Sequence, residues 1–417
     1  MKNGQRTAIV LVGYHYLSTP MYLALKEQLK GFKLYYVLTK DTIASDTNYK
    51  FFNRSSFRAS DPNYVELDYD PPWFRGLMPW HVRSRSQKIL LWMRWIFSFI
   101  RFKRELLKLV RRLKPDLIIT TTALFFTPRY LAVKMPEVPM AVVQPCYLDL
   151  WERPRRFPLL KQLVNFVQPY VFERQEYFGL EIERAKLLVW EPAAYETYLS
   201  KGRNAERVIN PAHLEIRKNG ARHRQNRDGM LTELGLPTSA RIMALFPAYY
   251  GDVVAHGTDY QLSLEQAFVQ AVDRLRDTFT IVVKIHPNED LSYWQRVFQK
   301  FASDKRVILT PDIERFKLMA VAEFHVSTNS YAAVEATLSG AVAVNFIPGI
   351  AMIGEKFCEP FSRNAAAVCT TVDELVHSLM RSGGAATFAG EVAKAQERIV
   401  GEKAGYRRVE AIFSEIT

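Results

Sequence analysis

The sequence predicts an α/β protein of two domains, each built on a parallel β-sheet. The chain has 417 residues, and globular domains usually hold about 100–200 residues, so two domains are expected. Ten short runs, mostly rich in Val and Ile, alternate with longer segments of helical pattern. This alternation is typical of βα units and parallel sheets. The predicted strands are 7–13, 33–38, 116–121, 138–144, 186–190, 241–246, 278–284, 306–309, 323–327 and 341–346.

A basic, polar stretch divides these strands into two groups of five. Residues 211–228 contain almost no large apolar side chain, which favours a linker between domains. We therefore place the first domain at 1–215 and the second at 216–417. Residues 391–417 carry the pattern of one amphipathic helix. In two-domain α/β proteins such a tail can cross back to the first domain.

Composition limits the partners and the compartment. The chain has 56 Lys and Arg against 43 Asp and Glu, a net charge of +13, which points to nucleic acid, an anionic membrane or a phosphorylated substrate. Cys146, Cys358 and Cys369 form no CxxC pair, which argues against a disulfide framework or zinc site and fits a reducing compartment. No apolar run approaches the ~18–20 residues of a spanning helix, and the start reads directly into a strand. A cytoplasmic protein is expected.

The segment 82–114 is basic and aromatic. It holds eleven Lys and Arg against one acid, Glu105, and five Trp or Phe residues are interleaved with them. This composition predicts a helix lying at an anionic membrane surface, with aromatic rings at headgroup level, and the basic stretch 153–174 could extend the same face. A core helix with a solvated basic edge is the alternative. Nucleic acid is the third reading, but no zinc-finger, KH or RNA-recognition motif is present, so no nucleic-acid partner is predicted.

The sequence VVKIHPNED, residues 282–290, carries the first chemical motif. A buried strand ends at Lys284, and His286 stands just beyond it before Pro287 ends the extended run. In open α/β sheets, ligands bind outside the carboxyl ends of the strands. A histidine there can donate to a phosphate oxygen and stabilise charge on a leaving group. The alternative is a histidine at a strand end whose hydrogen bonds are made within the protein and which binds no ligand.

A second motif follows about 40 residues later, in 323–346. A strand ends at Ser327, and the polar turn Ser327-Thr328-Asn329-Ser330 opens a helix. A helix N-terminus presents N–H groups and partial positive charge to an anion. Glu335 lies about one turn into the helix, and a carboxylate suits a ribose diol because it accepts hydrogen bonds. An ordinary capped helix with a solvated glutamate is the alternative.

Together the two motifs resemble the C-terminal domain of a group of bacterial GT-B enzymes. The group includes CDP-glycerol glycerophosphotransferases, bacterial polysialyltransferases and capsule Kdo transferases, and the resemblance covers residues 240–350. It implies a GT-B fold, two Rossmann-like domains facing a cleft. It also implies that His286, Ser327, Thr328 and Ser330 bind the donor's phosphate. Lys284, Pro287 and Asn329 lie in the same two motifs and are predicted to bind the donor with them. The turn departs from the Asp-Tyr-Ser-Ser usual in the glycerophosphotransferases, so glycerol phosphate is not predicted as the group transferred.

Further residues are candidates for the base and the acceptor side. Tyr249 follows the strand 241–246 and could stack on the nucleotide base. A transferase that inverts the configuration at the anomeric carbon of the sugar needs a general base within hydrogen-bond reach of the acceptor hydroxyl. His15, Asp149 and Glu152 each follow a predicted strand of the first domain and are the candidates. For each, a turn or capping role is the alternative.

The resemblance therefore predicts a glycosyltransferase of capsule, lipopolysaccharide or related polysaccharide biosynthesis. The donor is a nucleotide-activated sugar, CMP- or UDP-linked, bound by the second domain, and the first domain binds the acceptor, a cell-surface glycan or glycolipid. No metal is predicted: the DxD at 68–70 precedes two prolines without GT-A context. The protein is expected at the inner membrane face. The alternatives are a nucleotide-sugar 2-epimerase and a non-catalytic, membrane-docked glycan- or nucleotide-binding subunit.

Overall fold

The structure is a computed structural model in which two compact units can be recognised. One unit is formed by Met1–Ala212 with Ala404–Thr417, and the other by His213–Lys403. The residues that the structure describes are 5–11, 15–39, 62–67, 85–121, 126–144, 182–248, 257–286, 289–354, 358, 361–381, 384–401 and 405–417.

The first unit is built on an eight-stranded sheet in which every pairing is parallel. Its strands are β1 (Arg6–Leu11), β2 (Phe32–Thr39), β3 (Tyr64–Leu67), β4 (Leu117–Thr120), β5 (Met140–Val143), β6 (Lys186–Val189), β7 (Ala205–Ile209) and β14 (Arg407–Arg408). Their spatial order is β14-β7-β6-β5-β4-β1-β2-β3. The central strands β4 and β5 are buried along their whole length, as expected of strands covered on both faces.

Five helices accompany this sheet among the described residues. They are α1 (His15–Gln28), α2 (Arg85–Leu113), α3 (Phe126–Lys134), α4 (Pro192–Ser200) and α14 (Val409–Ile416).

Helix α2 has two different halves. Its carboxyl half enters the core of the first unit through Phe102, Leu106, Leu109 and Val110. Its amino half instead exposes large apolar side chains at helical spacing. Leu90, Met93, Phe97 and Ile100 are 56%, 51%, 67% and 37% exposed. No helix among the described residues is long and apolar enough to cross a membrane.

The end of the chain returns to the first unit, as its amphipathic pattern allowed, but not as one helix. Helix α13 (Ala389–Val400) ends at Gly401, which adopts a left-handed φ of +74°, a conformation that favours glycine. Strand β14 then pairs with β7, and α14 buries Val409, Ile412 and Phe413 in the first unit's core. The prediction of a single helix over 391–417 was therefore wrong.

The second unit holds a six-stranded sheet, also parallel throughout. Its strands are β8 (Ile242–Phe246), β9 (Thr280–Lys284), β10 (Val307–Thr310), β11 (Phe324–Ser327), β12 (Val342–Phe346) and β13 (Ala367–Cys369). Their order is β10-β9-β8-β11-β12-β13. The parallel α/β architecture predicted for both halves is confirmed.

Helices cover both faces of this second sheet. In chain order the described helices of this part of the chain are α5 (Pro211–Gln225), α6 (Arg227–Glu233), α7 (Gly257–Leu275), α8 (Leu291–Val297), α9 (Arg315–Val321), α10 (Ala332–Ser339), α11 (Ile350–Ile353), α12 (Val372–Leu379) and α13. Helices α7 and α12 contribute to the core on one face. Helices α6, α9 and α10 pack on the other.

The predicted linker is helical. Residues 211–225 form α5, and α6 follows directly. The segment has few large apolar residues because α5 packs mostly through small and polar side chains, among them the buried Ala212, His213 and Gly220, with Ile216 buried beside them. The boundary between the two units falls within the first turn of α5, between Ala212 and His213.

Candidate functional site

The second sheet reverses its strand order at one point, which marks a candidate ligand site. From β8 the chain adds β9 and β10 on one side, and then adds β11, β12 and β13 on the other. Ligands of open α/β sheets bind outside the carboxyl ends of the strands at such a reversal. Because the pairings are parallel, the carboxyl ends of β9, β8 and β11 share one edge. With strands about 4.8 Å apart, the ends of β9 and β11 are about 10 Å apart.

Lys284, the last residue of β9, is buried and bound to the backbone. Its Nζ donates to the carbonyl oxygens of Ile285 and Pro311, each at 2.9 Å. Burial, followed by the nearby Arg315 guanidinium, lowers the pKa of Lys284 to about 8. The side chain therefore joins the end of β9 to the loop that follows β10. Its contact with a donor phosphate stays a prediction.

His286 lies two residues beyond β9 and is exposed to solvent. Nearby protein atoms reduce the hydration of the charged ring, and the positive charges of Arg315 and Lys284 add to this effect, so the pKa of His286 falls to about 4. At neutral pH the imidazole is therefore uncharged, with one N–H donor and one acceptor nitrogen. Such a ring can donate a hydrogen bond to a phosphate oxygen, and an anion beside it favours its protonation.

The turn after β11 is held rigidly by its own side chains. Thr328 Oγ1 donates to the carbonyl of Phe346 at 2.7 Å, and Ser330 Oγ accepts from the backbone N–H of Ala332 at 3.2 Å. Ser327 differs: its hydroxyl is fully buried and has no hydrogen-bond partner among the residues that the structure describes. A buried hydroxyl left unpaired costs about 1–3 kcal/mol, and the contact of Ser327 with a donor phosphate stays a prediction.

Asn329 gives the turn its shape. It adopts a positive φ of +40°, which asparagine tolerates better than most residues. Its backbone N–H donates to Asn345 Oδ1 at 2.8 Å, and Asn345 Nδ2 donates to Asn329 Oδ1 at 3.1 Å. Its own Nδ2 donates to the Sγ of Cys358 at 3.1 Å. These bonds fix the backbone from which α10 starts.

Glu335 is a buried ion-pair partner in α10. Only 2% of the residue is exposed, and its Oε1 lies 3.0 Å from Nη2 of Arg315. Burial raises the pKa of Glu335, while the Arg315 charge lowers it. The carboxylate therefore faces the Arg315 guanidinium in this structure. Its contact with a ribose stays a prediction.

Arg315 is the residue of this edge that the sequence analysis missed. It opens α9, whose N-terminus is capped by Glu314 through the backbone N–H groups of Phe316 and Lys317. Its guanidinium bonds Glu335 and also lowers the pKa of His286, so its charge acts on both. One sequence signal could have revealed it: a basic residue directly after the polar loop that follows β10, the strand beside β9.

Several predicted residues are not tested by this geometry. His15 is the first residue of α1, and its side chain is outside what the structure describes. Asp149, Glu152, Tyr249 and Pro287 lie outside the described residues, as do the stretch 153–174 and the DxD at 68–70. Within the described part of the chain, no group of three or more His, Cys, Asp or Glu side chains could hold a metal ion.

An open pocket of about 470 Å³ lies at the opposite, amino-terminal edge of the second sheet. Arg241 and Glu323 line it, and they are bound to each other at 3.0 Å. The pocket contains none of the residues described above. We consider the carboxyl edge the stronger candidate, because it combines the strand reversal, three basic side chains and the unpartnered Ser327 hydroxyl.

Comparisons with known proteins identify the fold. No protein-family model matches the chain, and a comparison with curated protein sequences finds no match. UDP-GlcNAc 2-epimerase from Neisseria meningitidis, solved with UDP-GlcNAc, is similar with a TM-score of 0.58 and 12% identity over 99% of each chain. The wall teichoic acid polymerase TagF is similar with a TM-score of 0.56 and 11% identity, covering 99% of this chain and 89% of TagF.

A glycosyltransferase from Rickettsia africae is also similar, with a TM-score of 0.54 and 10% identity over 99% of each chain. The chain has the GT-B fold, with two Rossmann-like α/β domains. The predicted fold class is confirmed. At these identities the likeness concerns the fold, and activity has to be argued from the site.

Proposed function

We propose that this chain is a glycosyltransferase that moves a sugar from a nucleotide-activated donor to a cell-surface glycan or glycolipid acceptor. One observation carries the proposal: the strand reversal between β8 and β11, where His286, the turn 327–330 and the Arg315–Glu335 pair share one sheet edge. The edge offers hydrogen-bond donors and positive charge, which suit the phosphates of a nucleotide sugar. The GT-B fold, shared with TagF and the Rickettsia glycosyltransferase, agrees with this reading.

In the proposed reaction the site stabilises the departing nucleotide. Negative charge develops on the phosphate as the bond to the sugar breaks, and preorganised donors and cations lower the cost of that charge. His286 donates a hydrogen bond to the phosphate, and Arg315, held in place by its ion pair with Glu335, supplies guanidinium N–H donors. The acceptor hydroxyl needs a base of the first domain, for which His15, Asp149 and Glu152 remain our candidates. CMP- or UDP-linked donors are favoured.

A nucleotide-sugar 2-epimerase is the second candidate function, and one finding favours it. The Neisseria epimerase, solved with UDP-GlcNAc, matches 99% of this chain. An epimerase would change the configuration at C2 of UDP-GlcNAc with no acceptor present, and proton NMR would follow this directly. A transferase would leave that sugar intact. A non-catalytic subunit would keep its biological function after loss of His286.

Nucleotide binding is the first test. We would measure thermal stability with CMP, CDP, UDP, GDP and ADP for the wild type, His286→Ala and the matched variant His377→Ala. His377 is exposed on α12, whose carboxyl end lines the pocket at the opposite sheet edge. A ligand at 100 times its dissociation constant adds about 2.7 kcal/mol of stability.

The proposal expects one nucleotide to stabilise the wild type and His377→Ala, and to stabilise His286→Ala much less. If none of the five stabilises the wild type, the proposed donor site is wrong. If His286→Ala responds like the wild type, His286 does not contact the phosphates.

The proposal includes an anionic membrane surface at the inner face as the place of action. Its support is the exposed apolar stripe of α2, formed by Leu90, Met93, Phe97 and Ile100. Exposed basic residues follow the stripe along the same helix: Arg101, Arg104, Lys108, Arg111 and Arg112. Apolar side chains that enter the headgroup region next to Lys and Arg are the pattern of an interfacial helix.

Vesicle sedimentation tests this surface. The wild type is expected to bind phosphatidylglycerol-containing vesicles and to release at high salt. Met93→Ser with Phe97→Ser should weaken binding about tenfold or more, because each buried apolar side chain contributes about 1.5–3 kcal/mol. Val133→Ser removes an equally exposed apolar residue of α3 and should bind like the wild type. Unchanged binding of the α2 variant would contradict the membrane role.

A further inference from the structure

One contact ties the donor turn to the helix in which the second unit begins. Tyr331 follows the turn 327–330 directly and is the residue before α10. Its hydroxyl lies 2.6 Å from Nε2 of His213, and the two rings lie side by side with centroids 6.3 Å apart. His213 is fully buried in α5, so this hydrogen bond is made away from water.

The bond joins two neutral groups. Burial, opposed in part by a hydrogen bond to the backbone of Ile399, lowers the pKa of His213 to about 3. The ring is therefore uncharged at neutral pH and has one N–H donor and one acceptor nitrogen. A short hydrogen bond in a buried setting fixes the geometry of both partners. Tyr331 is only partly buried, and its hydroxyl is held in place by this hydrogen bond to His213.

Helix α5 is itself firmly attached to α10. A Cβ at Gly220 would lie 2.5 Å from the Cα of Ser339, so only glycine allows this close approach of the two backbones. Nη2 of Arg224 donates to the carbonyl of Ser339 at 2.6 Å. Contacts near the amino end and the carboxyl end of α10 therefore both come from α5, and the two helices run side by side in the same direction.

The start of α5 is anchored in the first unit. Asn210 Oδ1 accepts from the N–H of Ala212 at 2.9 Å, and its Nδ2 donates to the carbonyl of Gln144 at 3.0 Å. Gln144 follows β5, and Ala212 packs in the first unit's core. The next residue of the helix is His213. The hydrogen bond to Tyr331 is thus made one residue after the chain leaves the first unit.

We propose that His213 and Tyr331 are positioning residues for the nucleotide donor, which hold the turn 327–330 in its binding form and make its order depend on α5. The proposal rests on the proposed function for its ligand, the phosphates of a nucleotide. His213 touches no donor atom in this account and acts through Tyr331. The physical basis is that a turn already ordered before binding loses less conformational entropy when the ligand arrives.

Nucleotide affinity is the first readout. Dissociation constants for CMP and UDP would be measured by calorimetry for Tyr331→Phe, His213→Leu, His213→Gln and the double variant Tyr331→Phe/His213→Leu. Removing one hydrogen bond should raise the dissociation constant about 2- to 12-fold. Because both single variants break the same bond, the double variant should lose no more than either one. Glutamine can place an amide near the position of Nε2, so His213→Gln should retain most of the affinity.

Tyr293→Phe is the matched control. It removes another tyrosine hydroxyl of the second unit, which donates to Glu265, and nucleotide affinity should not change. Wild-type affinity in Tyr331→Phe, or losses that multiply in the double variant, would overturn the proposal.

Hydrogen exchange of the free protein separates this proposal from the donor assignment. Amides of 327–335 should exchange faster in Tyr331→Phe and His213→Leu, and as in the wild type in Tyr293→Phe. If the wild type binds neither nucleotide, the favoured CMP- or UDP-linked donors are wrong, while faster exchange still supports the coupling of α5 to the turn. Unchanged exchange at 327–335 refutes the coupling whatever the ligand.

Discussion

His325 in the middle of β11 provides the sharpest test of the electrostatic reasoning. The residue is fully buried, and neither ring nitrogen has a hydrogen-bond partner among the described residues. Its ring packs against Phe246 with centroids 4.5 Å apart. Burial lowers the pKa of His325 to about 3. We expect His325→Leu to stabilise the second unit, and to do so far more in acid than at neutral pH.

The magnitude follows from two separate effects. Near pH 7.5 leucine removes the cost of unpaired nitrogens, about 1–3 kcal/mol, and loses an aromatic contact of about 0.5–1.5 kcal/mol, a net gain of about 1 kcal/mol. Below about pH 6.5 the unfolded histidine binds a proton that the native ring excludes until about pH 3, so native stability falls as pH falls. Near pH 4.5 this adds about 3 kcal/mol to the advantage of the leucine variant.

Urea denaturation followed by circular dichroism, near pH 7.5 and near pH 4.5, measures both values. The transition that the substitution shifts is that of the second unit. His377→Leu is the control, because His377 is exposed and its replacement should give no comparable gain in acid. If His325→Leu changes stability equally at both pH values, the wild-type ring is not held neutral and the reasoning is refuted.

Three further outcomes are expected from the same unit. Arg315→Ala should lower the free energy of unfolding by about 2–4 kcal/mol because it leaves the buried Glu335 carboxylate without its ion-pair partner. The Arg315→Ala/Glu335→Gln double variant should lose less. Chemical denaturation measures both losses, and equal losses would contradict the buried pair. Gly220→Ala should cost about 1–3 kcal/mol or more by overpacking against Ser339, seen as a lower melting temperature; an unchanged value would show that α5 can move away. Ser327→Ala should leave stability equal or higher, since the lost hydroxyl is unpaired, yet raise the nucleotide dissociation constant about 2- to 12-fold; calorimetry that finds equal affinity would remove Ser327 from the site.

The sequence predicted the sheets well because most of their strands are apolar throughout. All ten predicted strands are present, with ends shifted by one or two residues. Four strands were missed. Three of them carry charged residues: β3 contains Glu66, β7 contains Glu206 and Arg207, and β14 consists of Arg407 and Arg408. The fourth, β13, is only three residues long. Strands near a sheet edge tolerate such charges, and their pattern does not separate them from loops.

The candidate site was only partly visible in the sequence. A histidine and a Ser/Thr turn at the ends of two strands can be read from local order, because parallel strands bring their carboxyl ends to one edge. The role of Arg315 and the hydrogen bond between His213 and Tyr331 could not be predicted from local sequence, because both depend on which helices pack together. His213 and Tyr331 are separated by 118 positions, and the buried face of the helix that holds His213 mixes a glycine and a histidine with one large apolar residue, Ile216.

The return of the chain to its first sheet has a consequence for biosynthesis. Residues 213–403 form a continuous insertion, whereas the first unit draws its β14 and α14 from beyond that insertion. Phe413 belongs to the same core as Val10, and the Thr417 hydroxyl accepts from Arg6 at 2.7 Å. On the ribosome the inserted unit can therefore fold first. Until β14 and α14 are synthesised, the first unit has an unpaired sheet edge at β7 and an incomplete core. A chaperone that binds nascent chains would meet this protein at its amino-terminal half.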